Sequence, residues 1–115
     1  MTSSATKSAS RSPVSDGLFK AIADPSRRMI LDLLAVRDLP LNRIEERFKI
    51  SRPAIIKHMR VLKSANLVKT RRQGRQTIHR LNSPPLQEVK DWLSHFEVFW
   101  DQSLARLKQH VEENL

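Results

Sequence analysis

Residues 50–68 read ISRPAIIKHMRVLKSANLV, and this stretch decides the fold prediction. Ser51 suits the N-cap of a helix, and Pro53 is tolerated within the first turn. Asn66 stands where the helix should end, because asparagine enters the left-handed conformation more readily than most residues. The stretch therefore predicts a helix from Arg52 to about Ala65. Its predicted buried side holds Ile55 or Ile56, Met59 and Leu62.

Three helices are predicted upstream of this stretch. The first begins at Ser15 and Asp16, and the second begins at Pro25 with Asp24 as its cap. Pro40 separates the second helix from a short third one. Apolar residues at helical spacing mark the three buried faces: Leu18, Phe19 and Ile22; Met29, Ile30, Leu33 and Leu34; Leu41, Ile44 and Phe48.

Downstream of Asn66 the apolar spacing changes from a helical to an alternating pattern. Residues 67–71 and 76–81 predict two short strands. Residues 72–75 predict the turn between them, with Gly74 available for a positive φ. The region is therefore predicted to be a β-hairpin with a basic tip.

A last helix is predicted to begin with Ser83 as its cap and Pro84 as its first residue, and to run to about Glu113. Its apolar stripe is too long for the domain core to cover, so we expect a second copy of the chain to cover the rest. The predicted dimerisation helices are the first and the last, about 15–24 and 84–113. The predicted interface residues are Leu18, Phe19, Ile22, Trp92, Phe96, Phe99, Trp100, Leu104 and Leu107.

The order of these elements predicts the fold class. A short helix, a tight turn and a helix with a polar N-terminus form a helix-turn-helix, and the hairpin that follows is its wing. The prediction is a mainly α fold with a small β-hairpin: a winged helix-turn-helix with a long C-terminal dimerisation helix. Residues 15–115 are predicted to form this domain, and residues 1–14, rich in Ser, Thr and Ala, to be a disordered tail.

The charge distribution indicates a polyanionic partner. The net charge is +9, and residues 51–81 hold nine Lys or Arg and no Asp or Glu. Such a stretch is typical of a nucleic-acid-binding surface, although a solvated surface would also be basic. The chain has no cysteine, which excludes disulfides, thiolate metal sites and cysteine nucleophiles. No glycine-rich phosphate loop or nucleophile elbow is present, so we predict that the protein is not an enzyme.

The helix from Arg52 is predicted to lie in the major groove of double-stranded DNA. Arginine can bind a guanine edge, alanine can touch a thymine methyl, and lysine can bind phosphate. Ser51 and the helix N-terminus suit a phosphate. The predicted contacts from this helix are Ser51, Arg52, Pro53, Ala54, Lys57, His58 and Arg60. Those predicted from the wing, to the flanking backbone or minor groove, are Arg71, Arg72, Gln73 and Arg75.

Two segments carry a resemblance to a known family. Residues 18–31, LFKAIADPSRRMIL, resemble the opening signature of the ArsR/SmtB winged-helix repressors, and residues 50–68 resemble their recognition helix and entry to the wing. The resemblance spans about residues 17–82. It implies a dimeric repressor that binds an operator and pairs through its outer helices. With two recognition helices, that operator is expected to be nearly palindromic.

The sequence departs from that family in three places. The family usually has glycine where Asn66 stands and often a small polar residue where Ile56 stands. Metal-sensing members carry a Cys-x-Cys pair where this chain has Pro40 and Asn42. A second family site uses carboxylates and histidines of the last helix, but the spacing here does not match it; the residues concerned are Asp91, His95, His110 and Glu113.

We therefore expect a cytoplasmic transcriptional regulator with no metal and no cofactor. The expected partners are double-stranded DNA and a second copy of the chain, with no membrane and with an effector molecule of unknown identity. Two alternatives stay open: a non-specific double-stranded nucleic-acid-binding protein, and a metal-responsive repressor with a site that lacks cysteine. A module that has kept the fold but only binds proteins fits the basic stretch less well.

Overall fold

A computed structural model describes residues 15–115, so the predicted disordered tail at residues 1–14 lies outside the described part of the chain. The winged helix-turn-helix prediction is confirmed: the described chain is mainly helical, with one small antiparallel sheet. Its elements are α1 (Asp16–Ala23), α2 (Pro25–Val36), β1 (Leu39–Pro40), α3 (Leu41–Glu45), α4 (Arg52–Ser64), β2 (Val68–Gln73), β3 (Gln76–Leu81), α5 (Pro84–Ser94) and α6 (Glu97–Glu113).

Local hydrogen bonds explain the sharp junction between α1 and α2. The Asp24 carboxylate accepts the Arg27 backbone N–H at 3.0 Å, as expected of an N-cap. The Arg27 side chain turns back and donates to the main-chain oxygens of Ala21 and Lys20, each at 2.8 Å. Arg28 donates to the oxygens of the last two residues of α1, both at 2.9 Å. The carbonyls at the end of α1 therefore find donors although the helix cannot continue.

Asn66 ends α4 as predicted. Its φ is +61°, in the left-handed region. The Leu67 N–H donates to the Leu62 oxygen and the Asn66 N–H donates to the Lys63 oxygen, both at 3.0 Å. This pair of bonds is the Schellman arrangement. The Asn82 side chain then donates to the Asn66 oxygen at 2.7 Å, which ties the end of the hairpin to its start.

In the wing, residues 68–81, the first strand is longer and the loop is shorter than predicted. Its first strand extends to Gln73, which pairs with Gln76, so the loop is Gly74 and Arg75 rather than residues 72–75. Gly74 has a φ of +64°, which a two-residue hairpin loop requires and glycine adopts without strain.

Strand β1 was not predicted. Leu39 and Pro40 pair with His79 and Ile78 of β3, which gives the sheet the order β1-β3-β2. Two residues show no alternating pattern, and proline usually argues against a strand. It is tolerated here because β1 lies at the edge of the sheet.

The core is formed by α1 to α4 together with the ends of the wing strands. Its fully buried side chains include Ile30, Ile44, Ile55, Leu62 and Leu67. Burial of such side chains stabilises the fold by about 1.5–3 kcal/mol each. Leu18, which was predicted to lie in a dimer interface, belongs to this core and is only 2% exposed in the single chain.

The predicted single C-terminal helix is two helices, with a break at His95 and Phe96. The His95 N–H donates to the Trp92 oxygen at 3.2 Å and the Phe96 N–H to the Leu93 oxygen at 3.0 Å. These bonds span three residues rather than four, which tightens and ends a helix. The Ser94 hydroxyl adds to this end because it donates to the Asp91 oxygen at 2.6 Å. Neither proline nor glycine marks the break, so the apolar spacing gave no sign of it.

Candidate nucleic-acid interface

Helix α4 divides into an apolar side and a basic side. Ile55, Met59 and Leu62 are buried against the core. The opposite side, which we call the basic face, exposes four cationic side chains and no carboxylate; they belong to Arg52, Lys57, Arg60 and Lys63. Burial of the apolar side fixes the rotation of the helix, so the basic face is held outward.

The N-terminus of α4 has the geometry predicted for it. The Ser51 hydroxyl accepts the Ala54 backbone N–H at 3.3 Å, and Pro53 lies in the first turn. Ser51, Arg52 and Pro53 are exposed. Ala54 is half-buried, so less of it is open to a ligand than predicted. The N-terminal end of the helix dipole adds a partial positive charge to the basic face.

His58 does not lie on the basic face, in contrast to the prediction. Its side chain is only 17% exposed and lies against the α1–α2 junction. Its Nδ1 lies 3.2 Å from Arg27 Nη1 and 3.9 Å from an Asp24 carboxylate oxygen. The backbone N–H of Arg27 lowers the pKa of Asp24, and the nearby His58 and Arg27 add to that shift. His58 therefore connects α4 to the start of α2.

Ile56 is the residue of α4 that sequence reasoning left undecided. Ile55 is fully buried, whereas Ile56 is 39% exposed between Arg52 and Arg60. The signal was present in the spacing: Ile55, Met59 and Leu62 lie at i, i+4 and i+7, which leaves Ile56 one position off the buried stripe. An exposed isoleucine thus lies within the basic face.

Four predicted contact residues of the wing are exposed, but two arginines already have partners. Arg71 donates to the Asp38 carboxylate at 2.7 Å, and Arg72 donates to the Thr77 hydroxyl at 3.3 Å. Arg75 and Gln73 lie at the tip of the hairpin. Since exposed ion pairs contribute at most about 1 kcal/mol, Arg71 can exchange Asp38 for a phosphate. The same applies to Arg52, whose Nε lies 3.8 Å from Glu45.

The C-terminal helices present a second, apolar surface. No residue of α5 or α6 is buried. Phe19 of α1 packs edge-on against Trp92, with ring centroids 5.2 Å apart, and Trp92 packs against Phe96 at 5.4 Å. Most of the apolar side chains of the two helices are at least 40% exposed: Leu93, Phe96, Val98, Phe99, Trp100, Leu104, Leu107 and Val111.

The candidate metal ligands of the last helix do not converge. Within residues 15–115, no three His, Asp or Glu side chains lie together in a way that could hold a metal ion. Asp91 instead accepts a hydrogen bond from Gln87 at 3.0 Å, and Glu113 accepts one from Gln109 at 2.9 Å. Over the same part of the chain, no helix is long and apolar enough to span a membrane.

The sequence is similar to those of known transcriptional regulators. Residues 24–70 match the family model of the bacterial regulatory proteins of the arsR family. The chain is 41% identical to the transcriptional repressor SdpR of Bacillus subtilis, over 70% of this chain and 90% of SdpR. It is 32% identical to an HTH-type transcriptional regulator of Mycobacterium tuberculosis, over 89% of this chain and 91% of that protein.

A solved structure agrees with these relatives. It is the crystal structure of a possible transcriptional regulator for arsenical resistance, with a TM-score of 0.63 and 34% identity, over 84% of this chain and 97% of that chain. The relatives are transcriptional regulators rather than enzymes. The chain therefore belongs to the ArsR family, whose members are DNA-binding transcriptional regulators of the winged helix-turn-helix fold.

Proposed function

We propose that the protein is a homodimeric repressor that binds a near-palindromic operator. The observation that carries this proposal is the basic face of α4, which is free of carboxylates and held outward by the burial of Ile55, Met59 and Leu62. In the proposed complex α4 enters the major groove, and the wing reaches the flanking backbone or the minor groove.

The contacts divide into those that specify a sequence and those that position the protein. Arg52 lies in the first turn of α4, where a side chain can reach a guanine edge. Lys57 and Arg60 lie farther along the helix and supply phosphate contacts or a second base contact. Ser51 and Pro53 bring the helix N-terminus to the backbone. From the wing, we assign phosphate contacts to Arg71, Arg72, Gln73 and Arg75.

The dimer is proposed from the apolar surface of the C-terminal helices. Phe99, Trp100, Leu104 and Leu107 are each more than half exposed in a single chain. A contiguous patch of this kind is rare on a monomer and suits a self-complementary interface. Phe19, Ile22 and Trp92 are half-buried against the core, and Phe96 is 40% exposed. We include these four residues in the proposed interface.

Repression and location follow from the relatives and from the partner. SdpR is named a transcriptional repressor, and we extend that role to this chain. A protein that binds an operator works where the chromosome is, so we propose that it acts in the cytoplasm. Bound in this way, the dimer would hinder transcription from a promoter that overlaps its site.

The test is binding to a labelled duplex from upstream of the protein's own gene, followed by fluorescence anisotropy at about 150 mM salt because phosphate-driven affinity depends on salt. A scrambled duplex of equal length is the competitor. We expect the native duplex to win by about a hundredfold or more. If both duplexes compete equally, the measurement is repeated with duplexes selected from a random pool. Equal competition there too would favour a non-specific double-stranded nucleic-acid-binding protein.

Matched variants separate the two kinds of contact. Arg52→Ala should reduce the preference for the native duplex, by about 1–3 kcal/mol if it holds a guanine edge. Arg72→Ala and Arg75→Ala should weaken both duplexes to a similar degree and lower the salt dependence. Arg37→Gln is the control, because this exposed arginine lies at the end of α2, outside the proposed interface.

A further inference from the structure

A cavity of about 560 Å³ opens between α4, the start of α3 and strand β3. Its volume lies within the range of sites that bind small molecules, about 300–1,000 Å³. Much of its wall is apolar, from Pro40, Leu41, Ile56 and Met59. Ile56 therefore belongs both to the cavity wall and to the basic face of α4.

The rim of the cavity is cationic. Arg52, Arg60 and Lys63 line it, and no aspartate or glutamate does. Among residues 15–115, neither Arg60 nor Lys63 forms a salt bridge, and Arg52 reaches Glu45 only at 3.8 Å. An apolar wall beneath two cations that lack an ion-pair partner is complementary to a molecule with an apolar body and one negative charge.

A buried polar group lies in the same cavity. His79 of β3 lines it at 4% exposure, and its Nδ1 has no hydrogen-bond partner among the described residues. Buried polar atoms are normally paired, so this unpaired ring nitrogen is an unusual feature of the cavity wall. Burial, with the nearby Lys63 charge, lowers the pKa of His79. The ring is therefore neutral at pH 7 and offers one N–H donor and one acceptor.

We propose that this cavity binds a small apolar carboxylate, with the hydrocarbon body against Ile56 and Met59 and the carboxylate between Lys63 and Arg60. Occupation changes the surroundings of the His79 ring, which lies in the wall. The cavity is distinct from the surfaces of α5 and α6 and needs only one chain.

The site has a consequence for regulation that rests on the proposed function. Arg52, Arg60 and Lys63 belong to both the cavity rim and the basic face of α4. A carboxylate bound there neutralises a cation that DNA phosphate would otherwise use, and its body fills the space next to the helix. Ligand and DNA therefore compete directly, and the ligand acts as an inducer without any change in the dimer.

The test is an NMR titration of the full chain with 2-naphthoate, followed by the imidazole proton signals of its four histidines. We expect the His79 signals to shift and saturate with a Kd of about 1 mM or tighter, while those of His95 and His110 move little. 2-Naphthylmethanol, which has the same body without the charge, should bind at least about tenfold more weakly. No saturable shift of His79, or equal binding of acid and alcohol, would overturn the proposal.

Variants of exposed residues test the assignment without disturbing the core. Lys63→Gln should weaken naphthoate binding by about tenfold, since it removes one charge from the rim. Lys57→Gln is the matched control: it removes the same charge from the same helix, at a residue that does not line the cavity. Ile56→Gln should weaken the acid and the alcohol alike. Equal effects of Lys63→Gln and Lys57→Gln would contradict the site.

Competition with DNA is measured separately. Naphthoate should raise the Kd of the native duplex with wild-type protein and have less effect with Lys63→Gln. If the protein binds no duplex at all, the proposed function fails, but the NMR titration still decides whether the cavity binds the acid. If DNA binds and naphthoate saturates His79 without displacing it, the regulatory consequence is wrong.

Discussion

The region from α1 to the wing and the two C-terminal helices bury their apolar side chains in different ways. In the first region, α1 to α4 each contribute buried residues to one core, as do the wing strands. In the second, α5 and α6 bury none, although α6 alone is 17 residues long. The region from α1 to the wing therefore completes its packing within one chain, whereas the C-terminal helices leave most of their apolar side chains exposed.

The largest expected effect lies in the first region. Leu62→Ala removes a fully buried side chain of α4 and should lower the free energy of unfolding by about 2–5 kcal/mol. Chemical denaturation followed by circular dichroism measures it. Val98→Ala on α6, which is 67% exposed, is the comparison and should cost far less. Equal losses would mean that the two regions do not differ as described.

The second prediction concerns the C-terminal helices. Trp100→Ser combined with Leu104→Ser removes two large exposed apolar side chains and should weaken dimerisation by about a hundredfold or more. Sedimentation equilibrium gives the dimer Kd. Val36→Ser, an exposed apolar residue at the end of α2, should leave the dimer intact. An unchanged dimer in the double variant would place the interface elsewhere.

A smaller effect is expected where α4 meets the wing. Asn66→Ala places alanine in the left-handed region without the polar side chain that lets asparagine adopt it. It should lower the free energy of unfolding by about 1 kcal/mol. Asn66→Gly should cost less or even stabilise the protein, because glycine adopts this φ freely. Thermal unfolding of both variants provides the measurement. A larger loss with glycine than with alanine would show that the asparagine side chain itself is needed.

The smallest expected effect is a dependence on pH. The pKa of His79 lies below its unfolded value of about 6.5. Below about pH 6.5 the unfolded chain binds more protons than the folded chain does. The free energy of unfolding therefore decreases as the pH falls from about 6.5 through the lowered pKa of the folded state. The melting temperature of wild-type protein should therefore fall as the pH is lowered below about 6.5. The melting temperature of His79→Gln should fall less steeply with pH, and that of the exposed variant His95→Gln should follow the wild type. Parallel curves for all three proteins would refute the assignment of this pH dependence to His79.

Helix caps and apolar spacing were enough to predict most of the first region. Ser15, Asp24 and Ser51 each cap a helix as their sequence contexts indicated, and Asn66 ends α4. These are local rules, in which one side chain satisfies backbone groups three residues away. Strand β1 was missed because its pairing with β3 joins residues that lie far apart in the sequence.

Side-chain orientation was harder to predict within the candidate site. His58 was assigned to DNA because it is polar and lies on the basic helix. The structure turns it toward Arg27 and Asp24, residues of another helix that no local rule brings close. Arg71 was predicted to contact DNA, and its pairing with Asp38 was not predicted. In both cases the deciding partner is distant in sequence.

The sequence by itself determined the element types, the basic stretch at residues 51–81 and the resemblance to the ArsR/SmtB repressors, because each depends on spacing or composition over a few turns. Tertiary structure alone decided where the last helix breaks and that Leu18 faces its own core. It also brought His79 of β3 beside Lys63 of α4 in one cavity. These features depend on contacts between elements, whose positions follow from the packing of the whole domain.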